Sequence, residues 1–151
     1  MFQQFRSLVL VSAVWLPVCF QASHAADLSD QPPVSITMQL GTAAGEDRFV
    51  PDTLSLKAGT LYVLRLENPG KKSYYFSSPK LADAIYTRKV VALDANGNPS
   101  AEVYGAIRRV EVKPGQVLEW WFIPIRTGLF DDVVSRKSEA AAGMKARIEV
   151  Q

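Results

Sequence analysis

The chain has 151 residues, 48% of them hydrophobic and 21% charged, with 17 Lys and Arg against 15 Asp and Glu. That length and mix suit one globular domain and set aside collagen-like, disordered and coiled-coil architectures. The basic residues fall in isolated pairs, Lys71-Lys72, Arg108-Arg109 and Arg136-Lys137, so neither nucleic acid nor an anionic membrane is the expected partner, since both need a clustered basic face.

Residues 1–25 read as a secretory signal: Arg6 in the n-region, an apolar run from Leu8 to Phe20, and small residues at Ser23 and Ala25 before a cleavage point at Ala26. The alternative is an uncleaved anchor, against which stand the shortness of the run and Pro17 within it. The pattern predicts a periplasmic protein with no membrane segment after cleavage. Cys19 and His24, each the sole residue of its type, both lie in this segment. The mature chain then has no disulfide, no Cys–His or Ser–His–Asp centre, and no zinc site built on thiolate or imidazole.

Residues 26–33, polar with Pro32 and Pro33, read as a flexible tether, and 34–151 as the folded domain. Val34, Ile36, Met38 and Leu40 alternate with polar residues, the period of a half-buried strand with Met38 pointing to the core. Phe49-Val50-Pro51 and Leu54-Ser55-Leu56 predict a broken strand stopping at Ala58-Gly59. Leu61 to Glu67 predicts another, with Tyr62, Leu64 and Leu66 on one face, closed by Asn68-Pro69-Gly70. Ser73 to Phe76 can form a short strand. Ser78 as N-cap, Pro79 at the first helical position, and Leu81, Ala84, Ile85 and Arg88 at helical spacing predict one short helix.

Val90 to Leu93 returns to β, Asn96-Gly97 is a turn, and Ala106 to Val112 runs into Lys113-Pro114-Gly115. Gln116 to Ile123 is apolar in both registers, including Trp120 and Trp121, which predicts a central strand covered on both faces. The expectation for the two tryptophans is core on one side and packing under the helix on the other. Ala146, Ile148 and Val150 alternate in a last strand. Many short strands, one short inserted helix and no βαβ rhythm predict an all-β sandwich.

Four pieces in order carry a resemblance: Phe49-Val-Pro51 with Leu54 and Ala58-Gly59; Leu64 to Asn68; Val112-Lys-Pro-Gly115; and Gly128-Leu-Phe130 leading to Gly143-Met144 and Arg147-Ile-Glu-Val150. Over nearly all of the mature chain this resembles the small periplasmic cupredoxins of the azurin and plastocyanin type. The resemblance implies a Greek-key sandwich with copper at one end, held by a His after the Asn-containing strand end and by a Cys, a His and a Met from the last long loop. Carried onto this chain, the first His falls within Ser73-Tyr74-Tyr75, the Cys near Val134 or Ser135, and the second His near Glu139. Met144 alone is kept. A type 1 centre needs the thiolate and both imidazoles, so electron transfer of the azurin kind is not expected.

Two readings of that end follow. In one, Tyr75 and Met144 fill the vacated pocket, Met being an adaptable packer and Tyr reaching water with its hydroxyl. In the other, Glu139 and Met144, with an acid from Asp131-Asp132, make a weak copper or iron site, although thioether and carboxylate differ in softness. A Met38 pair near Trp120 or Trp121 for Cu(I), and oxygen ligands from Glu46-Asp47, are weaker candidates. No nucleophile-elbow, Walker or paired-carboxylate signature is present, so no enzyme is expected. The expected function is an exported non-catalytic module without a resident cofactor. It would bind another exported or membrane protein through Tyr74, Tyr75 and the inserted stretch from Pro79 to Gly105. The alternative is metal handling in copper or iron homeostasis.

Overall fold

The computed structural model describes Leu28 and residues 30–151; residues 1–25, read above as a secretory signal, lie outside them, as do residues 26, 27 and 29 of the tether. Eleven strands and two short helices are present among the described residues: β1 (Val34–Leu40), β2 (Phe49–Val50), β3 (Thr53–Leu56), β4 (Tyr62–Glu67), β5 (Tyr74–Ser77), α1 (Pro79–Ala82), β6 (Ile85–Leu93), β7 (Pro99–Val103), β8 (Arg109–Val112), β9 (Val117–Pro124), β10 (Gly128–Val134), α2 (Lys137–Ala141) and β11 (Lys145–Val150). They form two sheets, ordered β2-β1-β4-β9-β6-β7 and β3-β11-β10-β5-β8. The chain changes sheet repeatedly, so its architecture is the expected Greek-key β-sandwich.

Between the sheets lies one core. Its centre is aromatic: Trp120 meets Phe76 edge-on at 6.0 Å and Phe122 at 5.4 Å, and Phe49 meets Phe76 at 6.4 Å. Trp120 donates its ring N–H to Thr87 Oγ1 at 3.1 Å, so its one polar atom is satisfied inside the sandwich. Met38, Leu40, Leu64 and Leu66 are all fully buried, as the alternation predicts.

Three expectations are corrected. The helix after Ser78 has only four residues, because Ile85, Thr87, Val90 and Val91 are β-branched and pair along β9 from Ile85↔Pro124 to Ala92↔Leu118. The stretch from Pro79 to Gly105, expected as an insertion, is therefore largely part of the first sheet: β6 is an inner strand and β7 forms the sheet edge. Trp121 does not lie under the helix but opposite Val63 and Lys89, with the Lys89 ammonium 5.4 Å from its ring centroid.

A second helix, α2, joins the one that the sequence predicts; Glu139-Ala140-Ala141-Ala142 is a run of helix formers closed by Gly143 at φ +103°. Ser78 stands at the N-cap of α1 but makes no side-chain cap bond. Instead Asp132 on β10 accepts from the Ser78 hydroxyl and from the Lys80 N–H, both at 2.8 Å, while Asp131 pairs with the Lys80 ammonium at 2.9 Å. This acidic pair anchors α1 to the second sheet. Among the described residues no helix is long and apolar enough to cross a membrane.

Candidate functional site

Asn68 closes β4 and organises the end of the sandwich where the family resemblance places copper. Its side chain is 2% exposed and uses its whole amide: Nδ2 donates to Val112 O at 2.7 Å and to Lys72 O at 2.9 Å, and Oδ1 accepts from the Gly70 N–H at 2.9 Å. Its backbone does the same for the turn between β8 and β9, accepting from Gly115 and donating to Gln116. One residue thus joins the end of a strand in one sheet to the end of a strand in the other, and fixes the loop that delivers Lys72 and Tyr74.

Tyr74 turns inward. It is 1% exposed, its ring lies between Gly41 and Gly70, and its hydroxyl donates to Asp47 Oδ1 at 2.7 Å. A Cβ on Gly41 would come within 2.3 Å of that ring, so the absence of a side chain there makes the room. The pocket is filled by Tyr74 and not by Tyr75, and Tyr74 offers no surface to a partner. The signal was in the strand pattern: Tyr74 shares a face with Phe76, and Tyr75 shares one with Ser77.

Asp47 begins a chain of charges. Its other oxygen accepts from the Lys72 ammonium at 2.8 Å, and that ammonium stands 3.4 Å from Glu139 Oε1. Glu139 is 6% exposed; its Oε2 accepts from the Ser135 hydroxyl at 2.5 Å and from the Arg136 N–H at 3.2 Å. Ser135 in turn accepts from the Tyr75 N–H at 3.0 Å. Glu139 therefore reaches back to the start of α2, as half of a capping box, and forward to Lys72.

The Lys72 ammonium, and next the Tyr74 hydroxyl, hold the Asp47 carboxyl below its usual range. Burial, followed by the hydrogen bond to Asp47, pushes the Tyr74 phenol up, and the hydrogen bond to Asp47 raises Lys72. A depressed carboxylate stabilises the fold above its unfolded pKa, and this contribution disappears as pH falls through the lower folded value. Asp47→Asn should therefore lower the melting temperature near neutral pH, with the gap from the unsubstituted protein closing in acid, about pH 3. Paired thermal melts at the two pH values check this; a gap that widens in acid would contradict it.

The residues at this end do not fit type 1 copper. No Cys or His follows His24, and Ser135 and Glu139 stand near the positions where the resemblance expects ligands. Met144 is fully buried within the core, and its backbone N–H donates to Glu139 O at 2.9 Å. Both Glu139 oxygens are already engaged by protein groups. Among the described residues, no cluster of three or more Asp, Glu, His or Cys side chains is placed to hold a metal ion.

Tyr75 points the other way. It is half-buried, and two guanidinium groups lie over its ring, Arg109 at 4.2 Å and Arg136 at 5.0 Å from the centroid. Of the two tyrosines offered by the sequence, only this one reaches the outside of the sandwich.

No protein-family model matches the sequence, and no curated protein matches it. Solved structures do. The Cu-containing nitrite reductase NirK from Thermus scotoductus SA-01 aligns with a TM-score of 0.57 at 14% identity, over 82% of this chain and 32% of that one. The McoA multicopper oxidase from Aquifex aeolicus gives 0.55 at 12% identity, over 79% and 29%. Auracyanin B gives 0.50 at 14% identity, over 81% and 92%. The chain thus spans about a third of the reductase and oxidase chains and nearly all of auracyanin B. At these identities the likeness concerns architecture, and in architecture the chain is cupredoxin-like.

Proposed function

We propose that the protein is an exported, non-catalytic accessory module that binds another exported or membrane protein. In this reading its copper-protein scaffold has given the metal end over to an internal ion network. The observation that carries it is the Lys72 ammonium between Asp47 and Glu139, at 2.8 and 3.4 Å. A cation built into the chain neutralises Glu139, the only buried carboxylate at that end among the described residues, and the Ser135 hydroxyl and the Arg136 N–H occupy its other oxygen. A divalent ion would have to displace all three groups and would gain one carboxylate and one thioether, ligands of opposite softness.

The case against catalysis is of the same kind. Every acid in this network is committed to a partner, and with no Cys or His after residue 24 there is no thiol or imidazole to serve as nucleophile or base at neutral pH. The secretory pattern of residues 1–25 supports export to the periplasm.

Calorimetric titration of the exported protein with Cu(I), Cu(II) and Fe(III) tests this reading. No saturable heat is expected with any of them. One-to-one binding that is lost in Glu139→Gln or Met144→Leu would overturn it and establish metal handling at that pair instead.

A further inference from the structure

Resting on the module reading above, we propose that the outer face of the β5–β8 edge is the recognition surface, and that its partner presents an acidic extended segment whose carboxylates are read by Arg109 and Arg136 beside Tyr75.

Strand β8 is the last of its sheet, so one side of its backbone is unpaired and can accept another strand. Tyr75 sits opposite Glu111 in the register of β5 and β8, and Arg109, two residues from Glu111, shares its face. Arg109 and Arg136 are both exposed, and their guanidinium carbons lie over the tyrosine ring, 4.2 and 5.0 Å from its centroid. A guanidinium held over an aromatic ring keeps N–H groups that can meet a carboxylate in a two-pronged contact.

Most basic side chains nearby have acids of their own: Arg108 pairs with Asp83, Lys72 with Asp47 and Glu139, and Lys80 with Asp131. Among the described residues Arg109 and Arg136 are in no such pair; their partner is Tyr75. The acid within the patch is Glu111. Hydrogen bonds from Ser73 and Tyr75 hold its carboxyl below the usual range, and Lys113 and Arg136 contribute through charge. One acid against Arg109, Arg136 and Lys113 leaves the face positive, and an acidic strand laid along β8 complements it in both charge and backbone hydrogen bonding.

The probe is a hexaglutamate peptide, titrated at low salt into the isotopically labelled exported protein and followed by amide chemical shifts. Saturable shifts grouped on β5, β8 and residues 135–137 are expected. They should weaken as salt is added, and the affinity should fall about tenfold or more in the double variant Arg109→Gln, Arg136→Gln. Both arginines are exposed, so unchanged melting of the variant shows that its fold is kept. Equal affinity in the double variant, no saturable shift, or equal binding of hexalysine would overturn the inference. So would tighter binding of inorganic phosphate or of vesicles containing phosphatidylglycerol, which would reassign the arginines to phosphate. Metal uptake at Glu139 would overturn the module reading whatever the peptide does, whereas a metal-free protein that ignores the peptide would overturn only this inference.

Discussion

Asn68→Ala should lower the unfolding free energy by about 3 kcal/mol, the scale expected when buried groups lose their partners. The substitution strands two carbonyls, Val112 O and Lys72 O, and one donor, the Gly70 N–H, at a point 2% exposed to solvent. The loss is not confined to those bonds, because Asn68 ties β4 of one sheet to the end of β8 in the other. Asn68→Asp provides a second reading. It keeps an acceptor for Gly70 but sets a carboxylate against two carbonyl oxygens, so it should be at least as damaging at neutral pH and partly recover in acid, where a protonated carboxyl regains one donor. Denaturant unfolding of the two variants measures both effects. A cost below about 1 kcal/mol for Asn68→Ala, the size of an ordinary exposed hydrogen bond, would show that water replaces the amide.

Gly41→Ala should cost about 3 kcal/mol, and the two parts of that cost can be separated. Gly41 has φ +76°, a conformation that costs a residue with a Cβ about 1 kcal/mol. The remaining part, about 2 kcal/mol, is overpacking, because the new methyl would sit 2.3 Å from Tyr74 Cε2. In a Tyr74→Leu background the ring is gone, so the same substitution should cost only the backbone part. A double-mutant cycle over Gly41 and Tyr74 should therefore show a coupling of about 2 kcal/mol. Strict additivity would mean that the ring moves aside freely, contrary to its anchoring by Asp47 and its position between Gly41 and Gly70.

These two predictions concern residues of different legibility. Asn68 stands out in the sequence as the end of a strand before Pro69-Gly70, and its place at the family's metal end follows from the resemblance. Gly41 does not stand out: it appears as one of several small residues in a loop, and only its approach to a ring far along the chain gives it meaning. The same holds for Asp47, one of a pair of loop acids in the sequence. In the structure it is the acceptor for Tyr74 and Lys72. Glu139 is conspicuous as a carboxylate near Met144, but its satisfaction by Ser135, Arg136 and Lys72 depends on α2 and on a lysine from a distant loop.

The sequence by itself determined most of the strands, through alternation that depends only on a two-residue repeat, and the turns, through glycine and proline whose dihedral preferences are local, but neither β7 nor the first half of β6. It also determined the chief chemical limit, because a chain with no Cys or His after residue 24 cannot build a thiolate and imidazole centre there, whatever its fold. Tertiary structure decided which of two adjacent tyrosines fills the pocket and which faces out, and made β6 a structural strand instead of a decorated loop. It also brought a lysine ammonium between two carboxylates at the end where the resemblance places copper. These outcomes share a physical reason: in a Greek-key sandwich the neighbours of a side chain come from distant strands and loops, so the partner that satisfies a buried charge is set by topology and not by local spacing.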